Sequence, residues 1–268
     1  MSGPLVSVGV LSVSVLLGEA SRRAAARLPR RLLRMSLLEA ASTFQLCCCS
    51  HELKLLGDTR QLAPPASLTL TFIMTVVHVL TFRGASCNPC GVLEQCCRGG
   101  GGRAASVLLI ACQFAAAFAA RSFAACVWSL GLSDAHVTHR RFGFRCFDPF
   151  GGTVLEAAAA ELVCAFVFQA AVMNAHKLDA RLRVPYIAAV VTVLVYTGGG
   201  VSGAFFNPVL AFSVQFPCSG HTHLEYTFIY WLGPALGMSS CILLLEKILP
   251  FLSGTRPIRA DAHKPKTQ

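Results

Sequence analysis

Charged side chains are scarce in this 268-residue chain, where Asp, Glu, Lys and Arg together make up only 13%. An average soluble domain carries about 25% charged residues, so the composition excludes an ordinary water-soluble fold. Hydrophobic residues account for 54% of the chain and are gathered in long runs. Such a distribution is typical of a polytopic helical membrane protein, whose lipid bilayer is its first expected partner.

Acidic residues are scarcer than basic ones, 13 against 23, which gives a net charge of +10. A charge of this size can indicate nucleic-acid binding, but the basic residues form no single face, and we expect no nucleic-acid partner. They cluster in the short segments between the apolar runs, as orientation signals of membrane proteins do. Their asymmetry favours both termini in the cytoplasm. Arg121 is an exception, because it stands inside an apolar run.

Six apolar runs are predicted to cross the membrane: 36–49, 67–82, 104–132, 152–175, 184–198 and 226–251. A spanning helix needs about 20 apolar residues, a length that three runs reach alone and three reach with their flanks. The first 18 residues form another, shorter apolar stretch whose basic cluster follows it. A cleaved signal has the opposite order, so an interfacial or additional N-terminal segment is favoured. If that segment spans, the count becomes seven and the N-terminus changes sides.

Clusters with the spacing of a metal site are lacking, although the chain has 13 cysteines. Seven of these cysteines lie within the apolar runs, where free Cys behaves as a small buried hydrophobe. We therefore expect no metal and no cofactor. The pair Cys87-Asn-Pro-Cys90 leaves a membrane thiol oxidoreductase open as an alternative function.

An internal repeat favours a different interpretation of residues 87–90, in which Asn-Pro matters and the cysteines do not. The stretch "GASCNPC" at 84–90 recurs as "GAFFNPV" at 203–209, and what recurs is Asn-Pro, not the cysteines. Upstream, Glu39 and Glu161 each stand five residues before a phenylalanine. Each half has three predicted spans, so the halves run through the membrane in opposite directions. Inverted repeats of this kind place their site at the midplane.

The two Asn-Pro boxes predict two half-helices. Asparagine is a strong N-cap and proline is favoured at the first helical position, so one half-helix begins at Pro89 and another at Pro208. In inverted halves they meet N-terminus to N-terminus, where their partial positive charges repel cations. The box residues are expected to line a passage for small neutral solutes: Asn88, Pro89, Cys90, Asn207, Pro208 and Val209.

Glu39 and Glu161 strengthen the interpretation, because a carboxylate within a membrane span is costly and is seldom there without a function. We expect each to accept hydrogen bonds from the irregular backbone that leads to its box. A position in the first turn of a helix at the membrane surface is the simpler alternative.

These motifs resemble the aquaporin family, in its unorthodox branch, over roughly residues 35–250. The resemblance implies an all-α fold with six transmembrane helices and two half-helices meeting at the midplane. It also implies a homo-oligomer, usually a tetramer, that is not an enzyme. The activity it implies is passive passage of water, glycerol and hydrogen peroxide across the endoplasmic reticulum membrane. A non-conducting scaffold with the same fold stays open as a further alternative.

The resemblance also assigns a selectivity filter, in which this chain departs from orthodox members. The positions that correspond are Val195, Ala204 and Leu210, and the last replaces the usual arginine. A filter of these residues is apolar and wide. The third box position, usually alanine, is Cys90 in one box and Val209 in the other, and the bulk of valine is expected to narrow or shift the junction.

Two weaker features complete the prediction. Cys218 follows Asn207 by eleven residues, and a cysteine there resembles a mark of this branch, which implies a role in subunit assembly, with simple buried packing as the alternative. Lys264 and Lys266 in the final "KPKTQ" fit a cytosolic dilysine retrieval signal. The expected organisation is a basic N-terminal segment (1–34), a channel domain (35–251, with repeats at about 35–132 and 152–251) and a basic tail (252–268).

Overall fold

The fold is built from helices. The computed structural model describes residues 3–99, 102–141, 151–216 and 218–253. The helices are α1 (Gly3–Ala26), α2 (Arg31–Asp58), α3 (Pro64–Thr81), α4 (Pro89–Cys97), α5 (Arg103–Ser129), α6 (Asp134–Arg141), α7 (Val154–Ala175), α8 (Ala180–Ser202), α9 (Pro208–Val214) and α10 (His223–Leu252). The predicted all-α membrane class is thus confirmed.

Six helices of the described part are long and apolar enough to cross a membrane: α1, α3, α5, α7, α8 and α10. Five of them coincide with predicted spans. The remaining predicted span, 36–49, lies within α2, a 28-residue helix that carries Glu39, Glu52 and Lys54 and is therefore less apolar. The additional apolar helix is α1, which begins at Gly3.

The two halves of the repeat have the same order of elements. Helices α2, α3, α4 and α5 form the first half, and α7, α8, α9 and α10 form the second. The carboxylates of Glu39 on α2 and Glu161 on α7 each reach the loop before a short helix, so α2 corresponds to α7. The repeat therefore accounts for six long helices and two short ones, and α1 and the short connecting helix α6 lie outside it.

Small residues allow the long helices of each half to approach closely, as is usual in membrane proteins. In the second half, a side chain at Gly237 of α10 would collide with the backbone oxygen of Leu162 on α7. In the first half, Ala117 and Ala120 of α5 pack against Cys47 and Cys48 of α2. The two crossings hold the core of each half together.

Helix α1 suits a membrane environment, because its buried face carries small and polar groups and most of its large apolar side chains face outward. The inner face is buried and consists mostly of small or polar residues: Ser7, Leu11, Ser14, Gly18, Arg22 and Ala25. The outer face exposes Leu5, Val8, Val13, Leu16 and Leu17. An interfacial helix would need one polar face directed to water. The arrangement instead favours α1 as a seventh long membrane helix.

Buried polar contacts attach α1 to the repeat. Arg22 Nη2 donates to Gln45 Oε1 of α2 (2.8 Å), and Gln45 Nε2 donates to Thr81 Oγ1 of α3 (3.1 Å). Near the other end of α1, Ser7 Oγ donates to Glu52 Oε1 (2.5 Å). Leu11 packs in one cluster with residues of α2 and α3. Helix α1 thus covers the outside of the α2–α3 pair.

The last helix accommodates two internal prolines with two π-turns. A proline removes the hydrogen bond to the carbonyl four residues earlier and its ring crowds that carbonyl. The wider turns Phe228–Leu232 and Leu244–Ile248 precede Pro234 and Pro250, respectively. Local π-geometry relieves this crowding, so α10 continues over 30 residues instead of ending.

Candidate pore

The first box forms the start of α4 as its residue types require. Asn88 is the N-cap, with φ −146° and ψ 121°, and its Oδ1 accepts from the backbone N–H of Cys90 at 3.0 Å. Pro89 occupies the first helical turn, where its missing N–H costs nothing. The half-helix therefore starts at the predicted residue for the predicted local reason.

The second box repeats this geometry at α9. Asn207 has φ −148° and ψ 109°, and its Oδ1 accepts from the N–H groups of Val209 (3.1 Å) and Leu210 (3.4 Å). Pro208 again begins the helix. Both caps use the amide oxygen, which leaves the amide N–H groups available for other partners.

The two boxes are joined across the repeat. Asn207 Nδ2 donates to the backbone oxygen of Cys87 at 2.8 Å, and Asn88 Nδ2 donates to that of Phe206 at 3.4 Å. Each asparagine thus caps its own half-helix and holds the loop before the opposite one. The two half-helices meet at their N-termini, as the inverted repeat predicts.

The loops before the boxes are strained in the same way in both halves. Cys87 (φ 51°) and Phe206 (φ 36°) both lie in the left-handed region, as does Ala204 (φ 50°). Such conformations cost about 1–3 kcal/mol each for residues other than glycine and persist only where the surroundings fix them. Gly84 and Gly203, at matching positions, have φ of 87° and 90° without that cost.

Two buried carboxylates hold the strained loops before the boxes in place. Glu39 accepts from the N–H groups of Ser86 (3.1 Å) and Cys87 (2.5 Å). Gln113 Nε2 on α5 also donates to Glu39, at 2.7 Å. The placement of Glu39 is the one proposed from the sequence, although Gln113 carried no sequence signal.

Glu161 has the same function in the second half. It accepts from the N–H groups of Phe205 (3.0 Å) and Phe206 (2.5 Å) and from Ser202 Oγ (2.6 Å). Its side chain is fully buried. Both glutamates therefore lie inside the protein, not in a first helical turn at the membrane surface.

A cavity of about 1570 Å³ passes the junction of the boxes. Asn88, Cys90 and Asn207 line it, together with residues of α2, α3, α7 and α8. The three predicted filter positions, Val195, Ala204 and Leu210, also line it. The structure thus brings the box asparagines and the proposed filter to one continuous space.

Val209 lies in the protein core and does not face the cavity. Its side chain is fully buried and packs against Cys47 and Cys48 of α2 and Ala117 and Ala120 of α5, and it is not among the residues that line the cavity. The expected narrowing by its bulk is therefore not found at the cavity lining, because the small residues of the first half accommodate it, and the alternative, a shift of the half-helix junction, stays a prediction. Pro89 and Pro208 are likewise buried at the starts of their helices, outside the cavity lining.

The cysteines of the first box do not form a bonded pair. Cys87 and Cys90 are both free thiols and both buried. Asn88 between them is fixed as the helix cap. In the part of the chain that the structure covers, no group of three His, Cys, Asp or Glu residues could hold a metal ion. The structural contribution of this segment is the capped half-helix.

Cys218 is engaged in a disulfide bond, so it is not simply a packed thiol. Tyr226 Oη donates to its backbone oxygen at 3.2 Å, which ties the end of the second half-helix to α10. Lys264 and Lys266 lie outside the described residues.

Several cavity residues were missed by sequence reasoning. His78 on α3 stacks with Phe82, the residue that follows this helix, with ring centroids 5.1 Å apart; both line the cavity, as does Phe168 on α7. Glu94 on α4 also lines it and accepts from Gln169 Nε2 at 2.8 Å. The polar residues His78 and Gln169 interrupt apolar runs, which is the one signal that could have indicated them.

A charged network joins α4 to the end of α10. Arg98 Nη2 contacts Glu94 Oε1 at 2.8 Å and Glu246 Oε1 at 2.5 Å. The hydrogen bond to Glu246, followed by that to Glu94, raises the pKa of Arg98 above its ordinary value. The guanidinium stays charged and fixes the C-terminal end of the first half-helix.

An all-helical membrane fold, an inverted repeat and two half-helices joined at their caps define a class of membrane channel. No family model matches the chain. It is 38% identical to aquaporin-11 of Homo sapiens, over 93% of this chain and 91% of that protein. Aquaporin-11 of Equus caballus is 37% identical, over 96% and 95%, respectively. Aquaporin-12 of Mus musculus is 34% identical, over 87% and 82%.

The chain therefore belongs to the aquaporin family, in the unorthodox branch that includes aquaporin-11 and aquaporin-12. This is a family of membrane channels, and the chain is a multi-pass membrane protein.

Proposed function

We propose that this protein conducts small neutral solutes, namely water, glycerol and hydrogen peroxide, passively across a membrane. One observation supports this most directly: a cavity of about 1570 Å³ passes both box asparagines. Its walls combine apolar side chains with polar ones, and the amides of both box asparagines are among the polar groups. Such a lining suits uncharged solutes that make two or three hydrogen bonds at a time.

The half-helices supply the mechanism. Each helix N-terminus carries about half a positive charge, and the two N-termini meet at the junction. A cation in this space would lose its hydration and face two positive dipole ends. Each box amide has two N–H groups, of which one is bonded to the opposite loop. The second N–H of Asn88 and of Asn207 can donate to a passing hydroxyl or water oxygen.

The proposed filter favours solutes larger than water. Val195, Ala204 and Leu210 present no charged donor to the cavity. A passing water finds few hydrogen-bond partners there, whereas the carbon skeleton of glycerol fits an apolar wall. We therefore expect glycerol and peroxide permeation together with a modest water flux.

Location and assembly follow from the family resemblance. We infer a homo-oligomer, most simply a tetramer with one pore per subunit, in the endoplasmic reticulum membrane. Lys264 and Lys266 would serve as the retrieval signal. Microscopy of the K264A/K266A variant tests this: the variant should reach the cell surface, and an unchanged location would contradict the signal.

Flux measurement in proteoliposomes tests the channel itself. The wild type should admit glycerol, hydrogen peroxide and water faster than protein-free liposomes do. In the Asn207→Asp variant, the carboxylate loses the N–H that holds the opposite loop and places a negative charge in the passage. We expect solute flux to fall severalfold.

Asn174→Asp is the matched control. Its Nδ2 donates to Ala170 O of its own helix at 2.7 Å, and Asn174 is not among the cavity-lining residues. This variant should conduct like the wild type. If the wild type admits none of the three solutes, the protein is a scaffold with a channel fold. If Asn207→Asp conducts normally while Cys90→Ser abolishes a thiol activity, the oxidoreductase alternative is correct.

A further inference from the structure

A second cavity, of about 280 Å³, lies among the C-terminal parts of α2 and α5, the half-helix α9 and the short helix α6. It is lined by His51, Lys54, Leu55, Asp58, Arg121, Ala125, Trp128, His139, Ser213 and Val214. We refer to it as the Arg121 pocket. No pore box or filter residue belongs to it, although Lys54, Asp58 and His139 also face the pore cavity.

Arg121 is the unusual member of this pocket. It belongs to α5, one of the helices apolar enough to span the membrane, and its side chain is exposed. It lies eight residues before Ser129, the last residue of α5, which corresponds to about 12 Å along the helix axis. A charged side chain at such a depth normally has a partner. Among the described residues, Arg121 makes no hydrogen bond or ion pair.

The other polar residues of the pocket leave its charge uncompensated. Lys54 Nζ and Asp58 Oδ2 form an ion pair at 2.9 Å, so the one carboxylate of the lining already has a cation. Burial lowers the pKa of His139, which makes it a neutral ring near pH 7. Among the lining residues that the structure describes, two cations and one carboxylate leave a single positive charge, that of Arg121, which faces the cavity.

The remaining ring donors of the pocket are occupied. Ser213 Oγ donates to Ala117 O at 3.0 Å, so His51 Nε2, 3.1 Å away, is the donor to Ser213 Oγ. Trp128 Nε1 donates to Glu52 at 2.8 Å. The Arg121 guanidinium is therefore the cation of the described lining that has no protein partner, and its planar fork matches a phosphate oxygen pair.

We propose that the Arg121 pocket binds the phosphate of an anionic membrane lipid. The setting favours a lipid over free phosphate, because Arg121 is exposed on a spanning helix beside Phe118, which is 63% exposed on the same helix. Acyl chains would lie along this apolar face of α5 while the headgroup phosphate meets the guanidinium. The net charge of +1 selects an anionic headgroup over a zwitterionic one.

Lipid titration of the purified full-length protein in detergent tests the assignment. Phosphatidylglycerol, phosphatidylcholine and inorganic phosphate are added separately, and the thermal stability of the protein is measured. We expect phosphatidylglycerol to raise the melting temperature most. In Arg121→Gln its apparent dissociation constant should rise about tenfold, as for the loss of one charge-assisted contact.

Arg103→Gln is the matched control, since Arg103 is exposed at the opposite end of the same helix. Its response to phosphatidylglycerol should equal that of the wild type. An unchanged response in Arg121→Gln would overturn the proposal. So would an equal effect of inorganic phosphate or of phosphatidylcholine, because each would remove the anionic lipid as the ligand.

Arg121→Lys provides a second measurement if the glutamine variant folds poorly. It keeps the charge but loses the planar fork. Native mass spectrometry should then show severalfold less retained phosphatidylglycerol than in the wild type. Equal lipid retention in the two proteins would also overturn the proposal.

Discussion

The carboxylate of Glu161 is expected to determine whether the second box can form. Replacing it with alanine removes the acceptor of two buried backbone N–H groups, those of Phe205 and Phe206, and of the Ser202 hydroxyl. The hydroxyl can rotate to another acceptor, but the two N–H groups lie in a loop whose Phe206 has φ 36°. They cannot turn to water without losing the conformation that positions the box.

The size of the effect follows from these contacts. Each buried donor left without a partner costs about 1–3 kcal/mol, so two of them cost about 2–6 kcal/mol. For a chain of this length, such a loss lowers the melting temperature by roughly 4–11 °C. Glu161→Gln keeps one carbonyl oxygen and should lose about half as much. Glu39→Ala should behave like Glu161→Ala, since it also leaves two loop N–H groups unpaired.

The assay is size-exclusion chromatography of purified protein after heating in detergent, combined with glycerol flux in liposomes. Glu156→Ala is the control, because it removes a carboxylate from the same helix at its exposed capping box. A clearly smaller loss of stability is expected there, with normal flux. Were Glu161→Ala as stable and as conductive as Glu156→Ala, the proposed function of the buried glutamates in fixing the loops would be wrong.

Three further predictions concern the filter, the helix crossing and the N-terminal helix. Leu210→Arg places a charged donor in the cavity and should lower glycerol flux severalfold relative to water flux in proteoliposomes, whereas Leu210→Met should not; an unchanged ratio would refute the filter assignment. Gly237→Val should prevent the close packing of α10 on Leu162 and abolish a monodisperse chromatographic peak, whereas Gly199→Ala, where an added Cβ meets no atom within 4 Å, should be tolerated. Ser7→Ala removes a donor to the buried Glu52 and should cost about 1–3 kcal/mol in thermal unfolding, whereas the exposed Ser12→Ala should have little effect; equal stability of the two variants would argue against α1 as an integral part of the fold.

Much of the fold could be predicted from the sequence because its signals are local. An apolar run long enough to span the bilayer identifies a helix without knowledge of its neighbours. Asn-Pro identifies a helix start by the same logic, since both the cap and the fixed proline φ act within one turn. The repetition of this box at Asn88 and Asn207 was enough to indicate opposed half-helices.

Helix α2 shows that local sequence signals do not predict the partners of buried charged residues. Its charged residues make it the least apolar of the long helices, because it carries the buried carboxylates of Glu39 and Glu52. In a soluble protein those residues would indicate a surface. Here they bind donors from other helices, and only the fold reveals those partners.

The sequence by itself determined the membrane class, the inverted repeat and the two half-helix starts, because apolar length and helix capping operate over a few neighbouring residues. The tertiary structure decided which side chains pack in the core and which line the cavity. It placed the bulk of Val209 in the core and His78 on the cavity wall, and it gave α1 a polar inner face. Those outcomes depend on residues far apart in the chain, whose contacts arise only when the helices pack.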